Sequence, residues 1–116
     1  MGKQLELFEE ELPSFDSLSD KVIEWAFDKG ILEKENAPKQ MLKVLEEVGE
    51  TAGALLKSNE EGIKDGIGDS FVTLIILARQ LGLTPEECLL AAWNEIKDRK
   101  GKTRDGVFVK DENQVS

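Results

Sequence analysis

Apolar and polar residues recur along this chain with a period of about 3.6, in four successive blocks. In the first, Leu18, Val22, Trp25 and Ala26 share one helical face. Ser17 or Ser19 can cap that helix, which is expected to run to about Lys29 and stop at Gly30. A polar connector, "LEKENAP", leads to a second helix opened by Asn36 and Pro38 and reaching about Lys57. Met41, Val44, Leu45, Val48, Ala52, Leu55 and Leu56 form its apolar stripe. After the break "SNEEG", a third helix is expected from about Glu60 to Leu81, closed by Gly82. From Phe71 onward it is apolar nearly all round, the pattern of a helix covered on more than one side. Thr84-Pro85-Glu86-Glu87 opens the fourth helix with a cap, a first-turn proline and a capping-box Glu. That helix is expected to run to about Lys100 and stop at Gly101. The tail has a turn signal at Asp105-Gly106, followed by a β-like "VFV".

Four amphipathic blocks with short connectors predict an all-α, four-helix bundle-like fold with a short irregular or β-like C-terminal tail. The expected divisions are a loose acidic arm at 1–14, a helical domain at 15–102 and a tail at 103–116. A chain of 116 residues is one domain on length alone and buries a modest core. The two apolar sides of the third helix call for a second subunit, so a homodimer or a dimer of dimers is expected, with the site near the interface.

Charge changes the picture. The chain has 24 acidic against 15 basic residues, a net charge of -9. That argues against a nucleic-acid polymer as partner, because phosphate backbones need basic surfaces. A small phosphorylated ligand arriving with a metal stays compatible. Cys88 is the single cysteine, so no internal disulfide can form, which fits a reducing compartment such as the cytoplasm. It falls on the apolar face with Ala92 and Ile96 and is expected to be a buried, inert thiol. The N-terminus lacks the apolar core of a signal peptide. The longest apolar run, Phe71 to Ala78, is interrupted by Thr73; at about 8 residues it is far short of the roughly 20 that span a bilayer. No membrane partner is expected. With no histidine, Ser-His-Asp triads and His-based zinc or iron sites are excluded.

The acids are placed where chemistry is possible. On the second helix Glu47 and Glu50 lie opposite the apolar stripe, one turn apart, so both carboxylates can point at one spot. A solvated acidic face would have the same pattern. On the third helix Asp69 shares its side with Asp65, Val72, Thr73 and Ile76, residues of which most favour burial. A carboxylate withdrawn from water needs a cation, either a Lys or Arg partner or a metal. Gly62, Gly66 and Gly68 within seven residues each cost about 1 kcal/mol in a helix, which points to close approach by another helix or a ligand, or to a later helix start. Carboxylates of both helices facing one cleft form an all-oxygen site suited to magnesium, which keeps several waters and commonly arrives with a substrate phosphate. Trp25 and Trp93 sit at helical spacing among apolar neighbours and are expected in the core, with stacking on a base as the alternative.

Glu47-x-x-Glu50, a spacer and an acidic pair ending on Asp69 resemble the signature of the MazG-like all-α nucleotide pyrophosphohydrolases: Glu-x-x-Glu, a spacer, and Glu-x-x-Asp. "LLK", "KDGIGDSFVTLIILARQLG" and "WNEIKDRKGKTRDGVFVK" are similar in style to its small single-domain members, so the resemblance covers about residues 15 to 110. One departure stands out: the family pattern would place a Glu at 66, where this chain has Gly66, with Asp65 one residue away. Positions i and i+4 align nearly as well as i and i+3, so Asp65 can take the missing place.

The resemblance implies magnesium-dependent hydrolysis of nucleoside triphosphates between the α and β phosphates, giving a monophosphate and pyrophosphate, with manganese able to substitute. It implies Glu47, Glu50 and Asp69 as metal ligands, Asp65 as a fourth, and a carboxylate, Glu47, as general base. It also implies Asn94, Lys97 and Arg99 of the fourth helix as nucleotide contacts, although a basic last turn also complements the helix dipole. Lys43, on the acid side of the second helix, can reach a phosphate or pair with Glu47. Glu46 is expected on the surface. The alternatives are a base-selective dUTP, dCTP or phosphoribosyl-ATP pyrophosphohydrolase, and a catalytically inactive acidic helical dimer that binds a protein partner.

Overall fold

A computed structural model describes residues 12–111; most of the expected acidic arm and the last residues of the tail lie outside them. Among the described residues there are four helices: α1, Phe15–Asp28; α2, Ala37–Leu56; α3, Glu60–Gln80; and α4, Pro85–Ile96. A 3-10 turn at Lys34–Asn36 precedes α2. Strands β1, Gly101–Arg104, and β2, Val107–Lys110, close the described chain as an antiparallel hairpin. The chain divides into two compact units, Met1–Pro85 and Glu86–Ser116. The expected helical domain at 15–102 crosses that division.

The first unit is built on α3, against which α2 packs most extensively and α1 to a smaller extent. Three contacts fix the antiparallel α2–α3 pairing. Gln40 Nε2 donates to Thr73 O at 3.1 Å. Thr51 lies against Gly66, where an added Cβ would sit 3.0 Å from Thr51 Cβ and closer still to its Oγ1. Ala54 lies against Gly62, where an added Cβ would be 3.1 Å from the alanine methyl. The helix begins before both glycines: close helix approach explains Gly66, and at Gly62 the Asn59 cap side chain and Ala54 together leave no room for a side chain. The hydroxyls at the crossing are satisfied within their own helices: Thr51 Oγ1 donates to Glu47 O at 2.7 Å and Ser70 Oγ to Gly66 O at 2.7 Å.

On α3, Ile75 and Ile76 are buried beside Thr73 and Gln80, and Gln80 Nε2 ties the α1–α2 connector down through Ile31 O at 2.8 Å. Phe15 meets Phe71 edge to face with centroids 5.4 Å apart. An apolar cavity of about 610 Å³ opens between α1 and α3, lined by Phe15, Leu18, Val22, Trp25, Phe71 and Ile75 among others.

Several local expectations are corrected. The cap of α1 is Ser14, whose hydroxyl accepts from Ser17 N at 3.0 Å, not Ser17 or Ser19. The α4 helix ends at Ile96, about a turn before Lys100, because Lys100 O accepts from Asp111 N at 3.0 Å and so joins the hairpin ladder. Strand pairing thus outcompetes the last helical turn. The hairpin reverses at Asp105 and Gly106, both with positive φ (51° and 79°), as a two-residue turn requires. Cys88 is exposed, not a buried thiol. Trp25 and Trp93 are 52% and 54% exposed, so neither is core in a single chain.

Candidate functional site

The α2–α3 contact line runs through Gln40, Val44, Thr51 and Ala54 on one helix and Gly62, Gly66 and Thr73 on the other. At about 100° per residue, Glu47 and Glu50 fall to one side of this line on α2, and Met41, Val48 and Ala52 to the other. On α3, Asp65 and Asp69 fall to one side, and Ile67 and Leu74 to the other. Because the helices are antiparallel, these sides coincide in space. The pair has an acidic face and, behind it, an apolar face.

The acidic face is hollow. A groove of about 440 Å³ is lined by Glu50, Gly53, Ala54, Lys57, Asn59, Gly62, Asp65, Gly66 and Asp69. The glycines at 62 and 66 that let the helices close also keep the groove open. Gly66 points into the crossing, so a Glu at that position would collide with Thr51 before reaching the groove. Asp65, one residue earlier, lines the groove instead.

Glu47 stands at the edge of the crossing, half-buried, its backbone oxygen held by Thr51. Its carboxyl is raised above the ordinary glutamate value of 4.5, first by loss of water contact and then by the Glu50 and Asp69 carboxylates; Lys43 opposes the shift and Glu46 adds a smaller push. The carboxylates of Glu47, Glu50 and Asp69 therefore feel one another. One expectation is overturned: Asp69 is exposed, as are Asp65 and Glu50. The side of α3 that carries Asp69 turns to the open groove, and burial begins one turn further on, at Thr73 and Ile76. At Glu47, loss of water comes first and the crowding of Glu50 and Asp69 second.

Among the described residues, no group of three or more His, Cys, Asp or Glu side chains stands in a metal-holding arrangement. The donor set itself suits a hard divalent cation: three carboxylates line one groove and a fourth is coupled to two of them. Glu47, Glu50, Asp65 and Asp69 are the carboxylates a magnesium ion would have to recruit, and their side chains would have to turn toward one another to hold it.

The other expected residues are distributed differently. Lys43 Nζ lies 3.5 Å from Glu46 Oε1, an exposed pair that leaves Glu46 on the surface. Asn94, Lys97 and Arg99 belong to the second unit, whereas the carboxylates belong to the first. Asn94 is exposed on α4, Lys97 follows it with its N–H bonded to Trp93 O at 2.9 Å, and Arg99 lies 3.8 Å from Glu95. Lys57 and Asn59 are groove residues that sequence reasoning missed. Lys57 is seven positions after Glu50, about two turns along the same face, and that spacing was a readable signal.

No family model matches the chain, and no solved structure matches it. Over 63 residues the chain is 40% identical to an uncharacterized 18.2 kDa protein in the rep-hol intergenic region of Haemophilus phage HP1 (strain HP1c1). The match takes in 54% of this chain and 39% of that phage protein, so it spans well under half of the relative's length. No single helix among the described residues is long and apolar enough to cross a membrane.

Proposed function

We propose that the protein is a magnesium-dependent nucleotide pyrophosphohydrolase of the MazG-like kind, cleaving nucleoside triphosphates to monophosphate and pyrophosphate in the cytoplasm. The observation that carries this reading is the α2–α3 groove, where Glu50, Asp65 and Asp69 line one opening and Glu47 is electrostatically tied to Glu50 and Asp69. A net-acidic groove repels a bare nucleotide and accepts a metal-nucleotide complex. The bound metal would supply charge neutralisation on the phosphate oxygens and a binding point for the attacking water.

The chain's own residues have separate tasks. Glu50, Asp65 and Asp69 would hold the cation in the groove. Glu47 is assigned the role of base, because its carboxyl is raised above the ordinary glutamate value and so takes a proton more readily than an ordinary glutamate. It accepts the proton of a water whose oxygen bonds to phosphorus; the α–β bridging P–O bond breaks and pyrophosphate departs with that electron pair. Lys43, Asn94, Lys97 and Arg99 are proposed to contact the nucleotide. The apolar face of α2–α3 supports the homodimer: Val48 and Leu74 are 49% and 47% exposed there, and a second copy of this chain would cover them. A four-helix bundle-like, oligomeric fold belongs to the same proposal.

The test is pyrophosphate release across a panel of ribo- and deoxynucleoside triphosphates, with magnesium and with chelator. Release that requires the metal and one or more nucleotides supports the reading. Absence of release from every nucleotide overturns it. The same open apolar face favours a second reading, an acidic helical module that binds a protein partner without catalysis, and that outcome would select it.

A further inference from the structure

The groove is chemically polarised along its length. The carboxylates of Glu50, Asp65 and Asp69 occupy part of it, and the turn from α2 to α3 contributes a different set of groups, Lys57 and Asn59. Lys57 is the only cation in the groove lining. Lys43, the other lysine on this face, is already within 3.5 Å of Glu46. Asn59 caps α3, its Oδ1 accepting from Gly62 N at 3.1 Å, which leaves the amide Nδ2 as a donor. Gly53 lines the groove as well, and an added Cβ there would meet nothing within 4 Å. Among the described residues no packing requires that glycine. It costs about 1 kcal/mol in mid-helix, and its missing side chain leaves space between the carboxylates and Lys57.

The local backbone holds these groups in place. Ser58, between Lys57 and Asn59, is left-handed at φ 52°. Asn59 N donates to Ala54 O at 2.9 Å and Ser58 N to Leu55 O at 3.1 Å, ending α2 in a tight cap. Lys57 is therefore fixed at the helix end about 10 Å along the axis from Glu50, and its own side chain can close most of that distance. A cation at the carboxylates and an ammonium at the far end match the two ends of a metal-bound polyphosphate.

We propose that Lys57 is the residue that binds the terminal phosphates of the substrate and the pyrophosphate that leaves, with Asn59 Nδ2 as an auxiliary donor. This rests on the pyrophosphohydrolase reading of the groove. Lys57 transfers no proton: its ammonium offsets the negative charge that gathers on pyrophosphate as the α–β bond breaks. It thereby sets a preference for triphosphates over diphosphates, which are one phosphate too short to reach it.

The test compares wild type, Lys57→Met and Lys57→Arg by calorimetry with two probes: manganese alone, and inorganic pyrophosphate in the presence of manganese. In Lys57→Met, manganese affinity should stay within about twofold of wild type, while pyrophosphate binding should weaken about tenfold or more, with Lys57→Arg largely restoring it. The ratio of kcat/KM for a triphosphate over its diphosphate should fall by a similar factor in Lys57→Met. Unchanged pyrophosphate binding in Lys57→Met, with manganese still bound, overturns the role of Lys57 and leaves the carboxylate site standing. Failure of wild type to bind manganese overturns the reading beneath it, and the Lys57 proposal with it.

Discussion

The two faces of the α2–α3 pair are separated only by the crossing at Thr51 and Gly66, and they call for different remedies. On one, Met41, Leu45, Val48, Ile67 and Leu74 are open to water, and what would satisfy them is area: in the proposed reading, a second copy of the chain. On the other, Glu50 and Asp69 press on Glu47, Asp65 lines the same groove, and in the proposed reading a single small cation would satisfy them. Similar exposure therefore points to different partners. An oily face asks for another protein surface, and a crowded acidic one asks for charge.

Four perturbations separate these faces, in falling order of expected effect. Gly66→Leu attacks both, because its side chain must enter the space of Thr51. It should cost about 3 kcal/mol or more in urea unfolding, with loss of metal binding and of self-association together. Glu50→Gln and Asp69→Asn act on the acidic face alone. Each should lower metal-dependent pyrophosphate release by about a hundredfold or more, with far-UV circular dichroism unchanged. Val48→Asp or Leu74→Asp acts on the apolar face alone and should weaken self-association by about 1–3 kcal/mol in sedimentation equilibrium.

The smallest effect is that of Glu47→Gln on the metal-free protein. The folded state keeps a proton on Glu47 above the ordinary carboxylate range, so stability falls as pH rises from that range through the raised value. The variant lacks this loss. It should melt higher than wild type at neutral pH and equally below pH of about 4. Excess manganese should reverse the order at neutral pH.

The sequence was most informative where one residue decides local geometry. The helix stop at Gly82, the start at Pro85 and the reversal at Asp105-Gly106 all lie where their chemistry places them. Periodicity also separated Glu47 and Glu50 from the apolar stripe correctly, because a helical face follows from spacing alone. It carries no information on what lies against each face. Asp69 was expected among buried neighbours and is exposed, and Trp25 was expected in the core and is half open. Both depend on how far α1 and α2 wrap around α3, which is a tertiary quantity. Gly66 looked like a defect in an acidic motif and is a contact point: the crossing needs a residue without a side chain, and Asp65 lines the groove beside it. The end of α4 was misplaced because β1 and β2 compete for its last residues, a contest between segments that no single-helix pattern displays.

The central claim is that carboxylates from adjacent helices share one divalent cation in the groove between them. Titration of the purified protein with manganese, read by the loss of the free-ion paramagnetic resonance signal, tests it directly in wild type and in Asp69→Asn. The account predicts saturable binding in wild type that is largely abolished in Asp69→Asn while the helices stay folded. Equal, non-saturating uptake by both proteins would contradict it.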